Sequence, residues 1–245
     1  MRKIFLSAGL LCLILFSACK KTETYKTASI NDYASLVIGK YITYNLDSLI
    51  FADNVNPKDR VISYQVKHLI ADTVTDNLGR KVLRMVRFIR KTAADNWTPD
   101  NTFFTVNTGS SLEFVENNFR FLKLKEPIVN GSTWKGNTYI DTYSANSDVK
   151  YYADWNYTYD SLNTPLKLGS IIIDSTLKVG ERDDIIGNPS DPATYSEINF
   201  SVSNYGKGIG LVYHRFIHQE YQPPTQGPTG YKVGYGITLT MIDHN

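Results

Sequence analysis

The chain has 245 residues and carries 26 lysines and arginines against 24 acids. A balance that close gives it no bulk electrostatic reason to bind nucleic acid, and the length suits one large β domain with a substantial core. The first residues, Met1-Arg2-Lys3, are basic, Ile4 to Phe16 is almost wholly apolar, and Ser17-Ala18-Cys19 follows. These are the three parts of an export signal. The apolar run is about thirteen residues, against roughly twenty for a helix that spans a bilayer, so residues 1–18 are expected to be cut off as a signal peptide. Cys12 would leave with them. Cys19 would then be the sole cysteine, and the fold would have to rest on its core without a disulfide. Subtracting Arg2 and Lys3 from 26 leaves 24 basic residues against 24 acids.

Residues 19–30 are short and polar and read as a tether; the domain is expected over 31–245. The stretch from Asn31 to Ile38 could form one or two helical turns. Beyond it the pattern has period two. Ile42, Tyr44, Leu46, Ser48 and Ile50 share one face, and Ile62, Tyr64, Val66 and Ile70 repeat the spacing. Lys81 to Arg90 carries apolar residues on both faces and is expected to be covered on both sides. Val149, Tyr151, Ala153, Trp155, Tyr157 and Tyr159 alternate with polar residues, which predicts a strand over 149–159. Val233, Tyr235, Ile237, Leu239 and Met241 alternate likewise. Strands with one buried and one wet face belong to antiparallel sheets.

Turn residues separate these runs: Asp76-Asn77-Leu78-Gly79, Asn107-Thr108-Gly109, Asn117-Asn118 and Asn130-Gly131. The segments Glu181 to Thr194 and Gln222 to Gly230, each with prolines, read as surface loops. The expected architecture is all-β: a single antiparallel, strongly curved sheet or incomplete barrel of about ten strands. A sheet of that size tends to curl or to split, so a two-layer β-sandwich is the alternative.

Chemistry-bearing motifs are few. His214 and His218 lie four apart on a strand, about 13 Å at some 3.3 Å per residue, too far to share an ion. Asp183, Asp184 and Asp191 lack the spacing of a calcium loop. There is no Gly-x-Ser-x-Gly elbow, and a triad or a carboxylate pair assembled in space leaves no local trace. Gly206-Lys207-Gly208-Ile209-Gly210 reads as a bend or bulge, because no helix pattern follows. No catalytic residue, metal or cofactor is expected. Tyr151, Trp155 and Tyr157 are either a core face or an aromatic platform for a ligand.

Phe16-Ser17-Ala18-Cys19 resembles the lipobox of bacterial lipoproteins, in which the cysteine is acylated and the chain is cut before it; Cys19 would be the lipidated residue. Asp47-Ser48-Leu49, Asp72-Thr73-Val74, Asp160-Ser161-Leu162 and Asp174-Ser175-Thr176 resemble the O-glycosylation triplets of Bacteroidota, which would make Ser48, Thr73, Ser161 and Ser175 the acceptors. The signal, together with Gly39-Lys40-Tyr41 to Leu49, Asn118-Phe119-Arg120-Phe121-Leu122-Lys123-Leu124, Trp134-Lys135-Gly136-Asn137 and Tyr205-Gly206-Lys207-Gly208-Ile209-Gly210-Leu211-Val212, is similar to uncharacterised outer-membrane lipoproteins of that phylum. The resemblance implies no catalytic residues.

Three readings follow. The first is a non-enzymatic, membrane-anchored envelope lipoprotein that binds or scaffolds envelope proteins. The second is a carrier for lipid or another hydrophobic ligand inside an open barrel. The third is a surface glycan-binding module or hydrolase. An apolar chamber inside the sheet would favour the second, an exposed row of aromatics the third, and a filled interior with a flat apolar patch the first. Lys20 rather than Asp after Cys19, and the lack of an acidic cluster there, predict an outer-membrane protein facing the periplasm, with the cell surface as the alternative.

Overall fold

The computed structural model describes residues 27–52, 58–225 and 229–245. Cys19 and the expected signal peptide, residues 1–18, lie outside the described residues. Twelve strands form one sheet: β1 (Tyr41–Ile50), β2 (Arg60–Thr75), β3 (Lys81–Arg90), β4 (Thr98–Asn107), β5 (Ser111–Glu116), β6 (Phe119–Lys125), β7 (Thr133–Lys135), β8 (Asn156–Leu168), β9 (Ile171–Gly187), β10 (Ser196–Gly206), β11 (Gly210–Gln222) and β12 (Tyr231–His244). A short helix, α1 (Ile30–Tyr33), precedes them. The order is β6-β5-β4-β3-β2-β1-β12-β11-β10-β9-β8-β7, and every pairing is antiparallel. The all-β curved sheet expected from the period-two pattern is therefore present, with twelve strands where about ten were expected, and it is one continuous sheet rather than a sandwich.

The sheet curls until its two edge strands meet. Leu122 N–H donates to the Gly136 carbonyl at 2.8 Å, and Trp134 Nε1–H donates to the Leu122 carbonyl at 2.8 Å. The Tyr159 hydroxyl accepts from Lys125 N–H at 2.8 Å and donates to the Lys125 carbonyl at 2.7 Å. Open edges are liabilities; here side chains and a few backbone bonds cover them. Gly136 is required at this seam, because a Cβ there would lie 2.4 Å from the Tyr157 ring.

Strand direction alternates, so the barrel has two ends. The near end holds α1, the C-terminus and the turns at 76–80, 108–110, 126–132, 169–170 and 207–209; the far end holds 91–97, 136–155 and 188–195. The N-terminal segment plugs the near end. Ile30 and Tyr33 are buried, Ile30 N–H donates to Glu126 Oε1 at 2.8 Å, and Asp32 reaches back to Ser29 N–H at 2.9 Å. Only one helical turn of the Asn31–Ile38 stretch forms. The chain must extend after Tyr33 to reach the sheet, where Gly39 N–H meets the Ile70 carbonyl and Ile70 N–H meets Lys40.

Three local readings are corrected. The strand read over 149–159 begins only at Asn156. Lys150–Tyr152 is a 3-10 turn, and Asp154, at φ 57°, turns the chain in the left-handed region. The segment from Glu181 is not a loop until Gly187, since β9 continues through its charged residues opposite Ser196–Ser201. Strand β3 is half-exposed along most of its length rather than covered on both sides, because the sheet has no second layer behind it. The core fills the half of the barrel under β7–β10, where Trp134, Trp155, Tyr157, Tyr159, Leu177 and Val179 are buried together. Among the described residues no helix is long and apolar enough to cross a membrane.

Candidate functional site

The other half of the barrel packs Tyr44, Val66, Leu239 and Met241 into a second buried cluster but leaves a hollow beside it. A chamber of about 320 Å³ runs from Leu36, Lys40 and Asn245 near one end to Ser48, Arg87 and Glu116 near the other. Its wall is mostly apolar: Ile42, Tyr44 and Leu46 from β1, Ile70 from β2, Met85 from β3, Phe103 from β4, Phe114 from β5 and Ile237 and Leu239 from β12. Strand alternation puts these side chains on the inner face. The space equals about ten waters at the ~30 Å³ each occupies in the liquid, at the lower end of the range of small-molecule sites.

Lys123, Ser203, His214, His68, Arg87 and Glu116 add polar groups to this wall, and two carboxylates that pair with them sit at bulges. On β9, Glu181 is the unpaired residue between Gly180, opposite Val202, and Arg182, opposite Ser201. Glu181 keeps the inward parity of Leu177 and Val179 on the same strand. There Glu181, 1% exposed, accepts from Lys123 Nζ at 3.2 and 3.3 Å, from Ser201 Oγ at 2.6 Å and from Ser203 Oγ at 2.8 Å. Burial pushes this carboxyl upward, but Lys123, His214 and the two serine hydroxyls more than offset it, and its pKa lies below the ordinary value. A second bulge, on β4, leaves Asp100 unpaired opposite the Arg87/Phe88 step, and Arg87 Nε donates to it at 2.5 Å.

His214 sits across from Ser203, its Nδ1 3.0 Å from Ser203 Oγ. Ser203 gives its single proton to Glu181, so it accepts from His214. An acyl-transfer triad has the reverse order, with the imidazole taking the serine proton and the acid orienting the imidazole. Burial lowers the His214 pKa to about 4, against the opposing pull of Glu181. His68 lies between Ile42 on β1 and Arg87 on β3, against the rings of Tyr44 and Phe103. Burial, with Arg87 nearby, lowers its pKa to about 3, and its Nε2 is buried without a hydrogen-bond partner. Burial also raises the Glu116 pKa, against Arg87 and Lys123; Glu116 is partly buried and lines the chamber.

The residues singled out from sequence fall elsewhere. Trp155 and Tyr157 are buried in the core. Tyr151 stacks on His218 with ring centroids 3.8 Å apart, within a far-end aromatic group that includes Phe216 and Tyr152. His218 Nδ1 pairs with Asn199 Oδ1 at 2.8 Å, so the two histidines of β11 have separate partners. Asp183 and Asp184 lie on β9 and Asp191 in the loop after it; among the described residues no group of three metal-ligating side chains forms. Ser48 lines the chamber, Thr73 is exposed, Ser161 Oγ lies 3.2 Å from Thr164 Oγ1, and Ser175 Oγ donates to Asn163 Oδ1 at 3.1 Å.

Sequence reasoning missed Lys123, Glu181, Ser203, His68, Arg87 and Glu116. A signal was present: Glu181 continues the inward register of Leu177 and Val179, and His68 that of Val66 and Ile70. A polar residue at an inward position of an alternating run marks a built interior site.

The fold and the chamber together define a nearly closed β-barrel with a mixed apolar and polar interior. No protein-family model matches the chain, and no curated protein matches it.

Proposed function

We propose that this chain is a membrane-anchored envelope protein that holds a small amphipathic molecule inside its barrel. The chamber of about 320 Å³ carries the reading. Its apolar wall suits a hydrocarbon body, and His68 Nε2 and the Glu116 carboxyl offer hydrogen bonds to a polar group. A buried polar atom without a partner costs about 1–3 kcal/mol, which a ligand that reached it would recover. Chambers of this kind bind by apolar burial and are made selective by a few polar groups. The basic, apolar and small-residue parts of the N-terminus, ending at Cys19, support the anchor, and Lys20 and Lys21 support the periplasmic face of the outer membrane.

The test is to purify the protein from its own membranes, extract it with solvent and identify small molecules by mass spectrometry. Anilinonaphthalene sulfonate then serves as a displaceable probe of the chamber. Met85→Trp should narrow the space, reducing both the co-purified molecule and the probe signal, with an unchanged circular dichroism spectrum. Cys19→Ser should move the protein out of the membrane fraction. If nothing co-purifies and Met85→Trp leaves probe binding intact, the carrier reading fails; if the Cys19→Ser protein stays fully membrane-bound, the anchor fails.

A further inference from the structure

We propose that the near end of the barrel is a docking face for an anionic bilayer; this inference rests on the membrane anchor proposed above. The chain enters the barrel at this end, through the plug at Ile30–Tyr33, so a tether over residues 19–26 would hold this end, and not the far one, against the membrane.

The surface there is built for that position. Large aliphatic side chains project from three separate segments: Val37 and Ile38 at 57% and 56% exposure, Leu78 at 65% and Ile172 at 66%. Aliphatic side chains exposed in and beside turns, with no strand face to cover, mark an interaction surface; the aliphatics that the far end exposes, Val61, Ile185, Ile186 and Val233, lie along its strands instead. Lys81, Lys125, Lys167 and Lys207 are exposed around the same end. None of the four forms an ion pair with a carboxylate among the described residues.

The acids of this end are mostly engaged: Asp76 with Arg80, Glu126 with the Ile30 and Ile128 amides, Asp243 with the Tyr41 hydroxyl and Asp32 with Ser29; Asp174 is exposed. The far-end loops are different. They expose Asp141, Asp148 and tyrosines such as Tyr139 and Tyr143, and exposed lysines there are engaged: Lys91 with the Ser63 carbonyl, Lys135 with Asp154 and Lys150 with the Ala145 carbonyl. Aliphatic tips that enter the headgroup layer, ringed by lysines whose stems lie along it, match an anionic interface. The chamber reaches this end at Leu36, Lys40 and Asn245, so docking would set it beside the bilayer.

The test uses the acylated protein in vesicles of phosphatidylethanolamine with phosphatidylglycerol, and in vesicles of phosphatidylcholine alone. Leu78→Cys, Ile172→Cys and the far-end control Tyr231→Cys each carry a nitrobenzoxadiazole label. On anionic vesicles the labels at 78 and 172 should shift to the blue and be quenched by spin-labelled lipid, while the label at 231 stays in water. Replacing Lys81, Lys125, Lys167 and Lys207 by Gln should reduce that quenching to the level on phosphatidylcholine while flotation with vesicles persists. Protein that floats with the labels at 78 and 172 in water, or with 231 quenched instead, overturns the docking face and leaves the anchor standing. A chain that carries no acyl group and does not float overturns both.

Discussion

Removing the ammonium of Lys123 would strand the best-buried carboxylate of the barrel interior. Lys123→Met keeps the length of the side chain and deletes the charge. Glu181 would retain Ser201 and Ser203 as donors but lose the larger of the charges that hold its pKa down. Breaking a buried pair from one side costs about 3–5 kcal/mol. Lys123 keeps 18% of its side-chain area accessible, on the chamber side, so the lower figure, about 3 kcal/mol at pH 7, is expected. The pH dependence gives a second handle. In the native protein the Glu181 pKa is depressed, so its contribution is present above the ordinary carboxyl value, about 4.3, and is lost as pH falls through the folded value. In the variant, burial dominates and the folded pKa moves above the ordinary one. The variant's deficit should therefore shrink as pH falls through that raised pKa. Urea unfolding followed by tryptophan fluorescence at pH 7 and pH 4.5 measures both effects, and Lys123→Met/Glu181→Gln should recover part of the loss. A pH-independent deficit under about 1 kcal/mol would refute the argument that this pair is buried and coupled.

Tyr159→Phe removes the hydroxyl that serves both backbone groups of Lys125. It should cost about 1–3 kcal/mol, with hydrogen exchange at the Lys125 amide accelerated more than at the β1–β12 ladder; equal protection in both proteins would contradict the seam described here. Gly136→Ala drives a methyl into the Tyr157 ring and should cost about 1–3 kcal/mol by overpacking, visible as a lower urea midpoint. His68 and His214, with pKa values lowered to about 3 and about 4, stay neutral in the native state while the unfolded chain protonates near 6.5. Their contribution is full above that pH and lost as pH falls toward the folded values. His68→Phe should therefore lose stability less steeply than the parent between pH 6 and pH 4.5, by about 1.4 kcal/mol per pH unit; parallel curves would show that His68 titrates normally.

Much of this molecule was written locally. A residue on a strand faces in or out according to its parity, so alternation such as Tyr44-Leu46 or Leu239-Met241 shows a half-buried antiparallel strand whatever it pairs with. Turn residues such as Asn77 and Gly79 end a strand through their own backbone preferences. That is why the all-β class and the curling of a long sheet were legible. Local pattern misled where one residue broke it. Asp154 turned a smooth run of aromatics into a 3-10 turn and then a strand, and the charged sequence after Glu181 looked like a loop because its ladder partner on β10 is not adjacent in sequence.

The tertiary structure alone decided where the sheet closes, where a hollow is left and what lines it. Lys123 and Glu181 are 58 residues apart and meet only because β6 curls round to face β9, where Glu181 continues the inward register of its strand. A one-residue change of register would send the same side chains into solvent. Strand parity is a property of each residue's own backbone and can be read from the sequence. A closed seam and an interior site depend on registers accumulated across twelve strands, and no single segment of the sequence carries that sum.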